Sequence, residues 1–146
     1  MLSETALISR LRTRAARGNL PNADVQHFDE LRASDRDSIG ILAEAIGTPV
    51  LAAYRDESCW TVVGTAGICL RFEGIRVELS YTCLRDCSHT EARDACTLQV
   101  VNLEGRVFRF WAAGGDGYYV IWGIILVMIP SGNKGRPIYE SVGTPS

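Results

Sequence analysis

The stretch Gly67-Ile68-Cys69-Leu70-Arg71-Phe72-Glu73-Gly74-Ile75-Arg76-Val77-Glu78-Leu79-Ser80-Tyr81 decides the fold of this chain. Ile75, Val77, Leu79 and Tyr81 alternate with Arg76, Glu78 and Ser80, the period of two that a strand with one buried face requires. Glu73-Gly74 separates this run from Gly67 to Phe72 and reads as a two-residue hairpin loop. Closing the hairpin there sets Phe72 opposite Ile75, Leu70 opposite Val77 and Ile68 opposite Leu79. Every pair on that face is apolar, and a slip of one residue would turn the whole set to water. The other face pairs Arg71 with Arg76 and Cys69 with Glu78, so it is expected to meet water or a partner.

On either side the same period continues. Val50 to Arg55 and Cys59 to Val63 read as earlier strands. Thr97 to Val101 and Arg106 to Trp111 form a second hairpin around Asn102-Leu103-Glu104-Gly105, with Gly where a type I turn and its bulge need positive φ. Between the hairpins, Cys83 to Cys96 is polar and charged and is expected to be a loop or a short surface helix. Tyr118 to Pro130 is the most apolar run, at 13 residues. A membrane-spanning helix needs about 20. The β-branched content of the run also suits a strand. With Asp116 as a cap and Pro130 as a stop, it is expected to form a helix buried on most sides, with no transmembrane segment.

Before Pro49 the period is helical. Ser3 caps a first helix carrying Leu7, Ile8, Leu11 and Ala15, which Gly18 and Pro21 end. Its four arginines, Arg10, Arg12, Arg14 and Arg17, face the single acid Glu4; a solvated basic face is expected rather than a transit peptide. A short second helix is expected after Asn22, with Val25, Phe28 and Leu31 on one side. A third starts at Ser34 with Asp37 in a capping box and runs to Gly47. The reading is one α+β domain over 1–130: helices over 1–48, antiparallel strands over 49–112, an apolar helix over 117–130. A tail over 131–146, rich in Gly, Pro and Ser, is expected to fray.

Composition narrows the function. The 146 residues are 47% hydrophobic and 22% charged, which excludes a disordered chain and a disulfide miniprotein. A net charge of −2 gives no general pull toward nucleic acid or an anionic membrane. Five cysteines are an odd count, and no secretory signal pattern is read at the start, so reduced thiols in a cytoplasm are expected.

The order of elements resembles the pleckstrin-homology-like partial barrel of small bacterial proteins. The likeness is carried by Cys59 to Ile68, the two hairpins and Gly117 to Met128 as the capping helix, over 49–130. Members of that class bind phosphoinositides, peptides or proteins. The resemblance therefore implies a fold and does not choose a function. Phosphoinositide binders set basic residues around the first strand–strand loop; here that loop is Arg55-Asp56-Glu57-Ser58, whose carboxylates repel phosphate.

Several constellations carry candidate chemistry. Cys83, Cys87, His89 and Cys96 follow C-x3-C-x-H-x6-C, three thiolates and an imidazole that would suit tetrahedral zinc; paired Cys-x2-Cys elements are absent. Cys87 with His89, or a cysteine with His27, would make a nucleophile pair, but no motif supplies an oxyanion hole. Asp86, Glu91 and Asp94 read as solvated charge rather than acid–base catalysts. Gly114-Gly115-Asp116-Gly117 lacks the Lys-Ser/Thr of a phosphate loop. Arg71, Arg76 and Arg109 with Trp111 are interleaved with Glu73, Glu78 and Glu104, which disfavours nucleic acid. A non-catalytic, cofactor-free protein-binding module is therefore expected, for example an inhibitor or immunity protein. Its partner is a protein or a second copy, met through Arg71, Arg76, Glu78, Asp86 and His89. The competing class is a zinc-binding or cysteine-dependent enzyme domain centred on residues 83–96.

Overall fold

The first hairpin closes where its apolar face demands. In the computed structural model, which describes residues 2–90 and 96–134, Phe72 pairs with Ile75, Leu70 with Val77 and Ile68 with Leu79. Glu73 (φ 51°) and Gly74 (φ 80°) both turn left-handed, the type I′ geometry that matches strand twist. Strands Val25–His27 (β1), Pro49–Asp56 (β2), Cys59–Gly64 (β3), Gly67–Phe72 (β4) and Ile75–Ser80 (β5) form one antiparallel sheet in chain order. Leu84–His89 (β6), Thr97–Asn102 (β7) and Val107–Trp111 (β8) form a second. Gly105 takes φ 83° in the β7–β8 turn, and the Asn102 side chain accepts from the backbone N–H groups of Glu104 and Arg106.

With helices Glu4–Arg17 (α1), Ala33–Ile39 (α2) and Gly115–Met128 (α3), the architecture is α+β. Among the described residues no strand pairing joins the two sheets, and they do not close on each other. Thr61 of β3 donates to the Trp111 carbonyl of β8 at 2.6 Å and ties the two sheets where they meet. The main core gathers Leu70, Leu98, Phe108 and Phe110 of the two sheets with Ile121, Ile124 and Ile125 of α3, which packs on β6 and β7. α1 contributes Leu11 and Ala15 to the same core, so it covers the flank of α3 that the sheets leave open. No helix among the described residues is long and apolar enough to cross a membrane.

Ser3 caps α1 as expected, accepting from Ala6 N at 3.1 Å. The rest of the N-terminal third departs from its helical reading. β1 stands where the second helix was expected. The Asn22 side chain accepts from Asp24 N and Val25 N, and Val25 then pairs with Ala53. So short a segment is marginal as a helix on its own, whereas the edge of β2 offers bonds at once; Phe28–Glu30 keep only a single 3-10 turn. The third helix starts two residues early, with Arg32 rather than Ser34 at the cap and no side-chain cap bond, and Gly40 (φ 81°) ends it well before Gly47. A single 3-10 turn, Glu44–Ile46, follows. Within the expected loop Cys83 ends a 3-10 turn and Leu84–His89 form β6, and residues 91–95 lie outside the described residues. Asp116 sits within the first turn of α3, and Gly114 is its cap. The first residues of the expected frayed tail are anchored: Asn133 donates to the carbonyls of Thr82 and Leu84, both at 2.9 Å. The remainder, 135–146, lies outside the described residues.

The start of α1 is fixed at the end of β3 by one carboxylate. Glu4 accepts from the Thr65 hydroxyl and from Thr48 N. These bonds, the Thr65 hydroxyl foremost, hold the carboxyl below the usual glutamate range. A depressed carboxyl stabilises the fold above its unfolded pKa, about 4.3, and loses that contribution as pH falls through the folded value. Glu4→Gln is expected to melt below wild type at neutral pH, with the gap closing as the pH drops below about 4. A gap that is constant with pH in thermal melts would show that the charge is not involved.

Nearby, the buried Tyr81 hydroxyl donates to the Gly64 carbonyl at 2.8 Å. Tyr81→Phe leaves that carbonyl without this partner, so a loss of about 1–3 kcal/mol is expected in urea unfolding. A change within a few tenths would mean that water takes the place of the hydroxyl.

Candidate functional site

The outer face of β2–β5 is set by register. Tyr54, Trp60, Arg71 and Arg76 form one cross-strand row, and Ala52, Val62, Cys69 and Glu78 the next. The second row is apolar over three of its four residues, and Leu31, Ile39 and Ile46 bury against it in a second core cluster. The expectation that this face as a whole meets water or a partner is therefore corrected: most of it is covered by the chain's own N-terminal segments. Cys69 is fully buried, its thiol pushed up to about 11 by burial, and only the end nearest the hairpin loop is open.

At that end Arg76 is held from three sides. Its guanidinium donates to Glu78 at 2.6 Å and to the Ile41 carbonyl at 3.0 Å, and stands 5.8 Å from the centre of the Trp60 ring. Trp60 is buried, with its Nε1 unpartnered among the described residues. Arg71 lies directly across the strand pair from Arg76, is exposed, and makes no hydrogen bond or ion pair among the described residues. Ile41, whose carbonyl Arg76 takes, is 94% exposed. The result is two adjacent cations, one fixed and one free, beside an uncovered aliphatic side chain.

Asp86 and His89 lie on the other sheet, so the five residues expected to act together form two separate groups. Asp86 is exposed and accepts from its neighbour Cys87 N at 2.8 Å. His89 pairs with Leu98 and turns to α3: Nδ1 contacts the Tyr118 hydroxyl, and its ring centre is 4.2 Å from that of Trp122. The Trp122 indole in turn donates to the Cys87 carbonyl at 2.9 Å. Together with the Asn133 bonds, this occupies outward carbonyls of β6 and blunts that edge against strand addition.

The cysteine-centred candidates are spread out. Cys83 is exposed, Cys87 is buried in the main core and Cys96 is half-buried before β7. Among the described residues no three His, Cys, Asp or Glu side chains come together as a metal set. Burial raises the Cys87 thiol, the reverse of what a nucleophile requires. His27 lies on β1 with Nδ1 buried and unbonded, and Glu91 and Asp94 lie outside the described residues. Arg109 approaches Glu73 at 3.8 Å, an exposed pair rather than a free basic patch.

Two features had only faint signals in the sequence. Tyr118 and Trp122 stand at i and i+4, which places them on one side of α3 but does not say that His89 meets them. The support of Arg76 by Trp60 and Ile41 joins residues far apart in the chain. Compared with models of protein families, with curated proteins and with solved structures, the chain matches none.

Proposed function

We propose that this chain is a non-catalytic protein-binding module of the inhibitor or immunity type, which uses the open end of the β4–β5 hairpin. The observation that carries the reading is the Arg71–Arg76 pair. Like charges directly opposite on a sheet oppose folding, and carboxylates on a partner would relieve that cost. Arg76 is already oriented by Glu78, Ile41 and Trp60, so little side-chain freedom is lost on binding. Exposed Ile41 adds an apolar contact beside the charges. The succession of a strand meander, a three-stranded sheet and a C-terminal helix supports the pleckstrin-homology-like reading. Five free thiols suit a reducing cytoplasm.

Arg71→Glu tests this cleanly, because the side chain is exposed and unpaired. Tagged wild-type protein is expected to retain one protein in stoichiometric amount from native lysate. The variant is expected to bind it about 30-fold more weakly, the effect of losing about 2 kcal/mol at an arginine hot spot, while melting at or above wild type because the introduced carboxylate would face Arg76 as an opposite charge. Equal retention by both proteins, or no stoichiometric partner, would overturn the reading.

A further inference from the structure

A second surface lies on α1 and α3, away from the hairpin. The two helices enclose an open groove of about 970 Å³. One wall carries Arg10, Arg14 and Arg17, spaced i, i+4 and i+7 along α1 and spanning about 10 Å at the rise of a helix. Arg12 is paired with Asp29 at 3.1 Å; the three groove arginines have no ion pair or hydrogen bond among the described residues. The only acid of α1, Glu4, is taken by Thr65 and Thr48 at the helix start. On a chain of net charge −2, this is a local concentration of unbalanced positive charge.

The facing wall is apolar. Tyr119 is 65% and Val127 58% exposed, two turns apart on α3, with Met128 beside them. Gly123 lies midway between them. A Cβ there would be 3.3 Å from Arg14 Nη1, so the glycine lets that guanidinium lie close against α3. An apolar strip flanked by a row of cations is the complement of a helix with an apolar stripe bordered by carboxylates. The concave shape suits a cylinder, which a flat bilayer does not offer.

We infer that the α1–α3 groove docks an acidic amphipathic helix of a partner protein, its carboxylates at i, i+4 and i+7 meeting Arg10, Arg14 and Arg17 and its apolar side chains meeting Tyr119, Val127 and Met128. The probe is a library of stapled helices of about 14 residues, with Glu, Gln or Lys at those three positions and leucines in the adjacent stripe. Selection on the full chain is expected to enrich Glu at all three. Affinity of the selected peptide is expected to fall with salt, and about tenfold or more in Arg10→Gln/Arg14→Gln/Arg17→Gln and in Val127→Asp. Because every substituted side chain is exposed, their melting temperatures stay near wild type.

Enrichment of Gln or Lys, no selected binder, or equal affinity for wild type and both variants would overturn the inference. So would retention on phosphatidylserine-containing vesicles that the arginine variant loses, since that would make the face a membrane contact. Arg71→Glu is expected to leave peptide binding unchanged, so failure here is distinguishable from failure of the hairpin reading.

Discussion

Gly64→Ala is expected to destabilise the protein by about 3 kcal/mol or more, at or beyond the usual upper end for overpacking. A Cβ at this position would lie 2.2 Å from the Ile46 carbonyl oxygen and 3.2 Å from that of Thr48. Both atoms are backbone, so no rotamer change gives relief. Three other bonds hold the same junction: Ala66 N to Ile46 O at 2.8 Å, Thr65 N to Thr48 O at 3.0 Å, and the Tyr81 hydroxyl to Gly64 O at 2.8 Å. Moving Ile46 away would strain these and loosen the anchor of Glu4 on Thr65. Chemical denaturation of the purified variant measures the loss. A change below about 1 kcal/mol would mean that the Gly47 turn shifts at little cost.

Phe110→Ala is expected to cost about 3–5 kcal/mol. Phe110 is fully buried on β8, an edge strand of the three-stranded sheet, pairs with Leu98 of the central strand and belongs to the main core with α3. Its removal opens a cavity that two sheets and a helix cannot all close upon. Phe110→Leu is expected to lose less, because much of the volume remains. Should the two substitutions cost the same in urea unfolding, the second sheet would not be packed on α3 as described.

Strands with one wholly apolar face were legible because a single register satisfies them. The first hairpin follows its expected pairing residue for residue, since any slip from Leu70 opposite Val77 would expose apolar pairs. The helical form of α3 was open on periodicity alone; what supported it was the Pro130 stop. β6 was not legible. Its apolar residues number few, and it becomes a strand because β7 has a free edge and because Trp122 and Asn133 take its outward carbonyls. The expected second helix failed for a related reason: a segment of this length has no stability apart from what it packs against, and β2 offered Val25 a better partner, whereas the third persists only as the shortened α2.

The candidate site divides in the same way. Arg71 and Arg76 were placed opposite each other by the hairpin register, a local relation fixed by sequence. The grip of Glu78, Ile41 and Trp60 on Arg76, the turn of His89 toward α3 and the meeting of α1 with α3 were decided by tertiary structure. The sequence by itself determined the strand faces, the tight turns and the apolar character of α3, because each depends on residues a few positions apart and on one rule, that apolar surface leaves water. Which segment covers which face depends on contacts between residues tens of positions apart. Their free energy exists only once the chain has closed those loops, so no local pattern carries it.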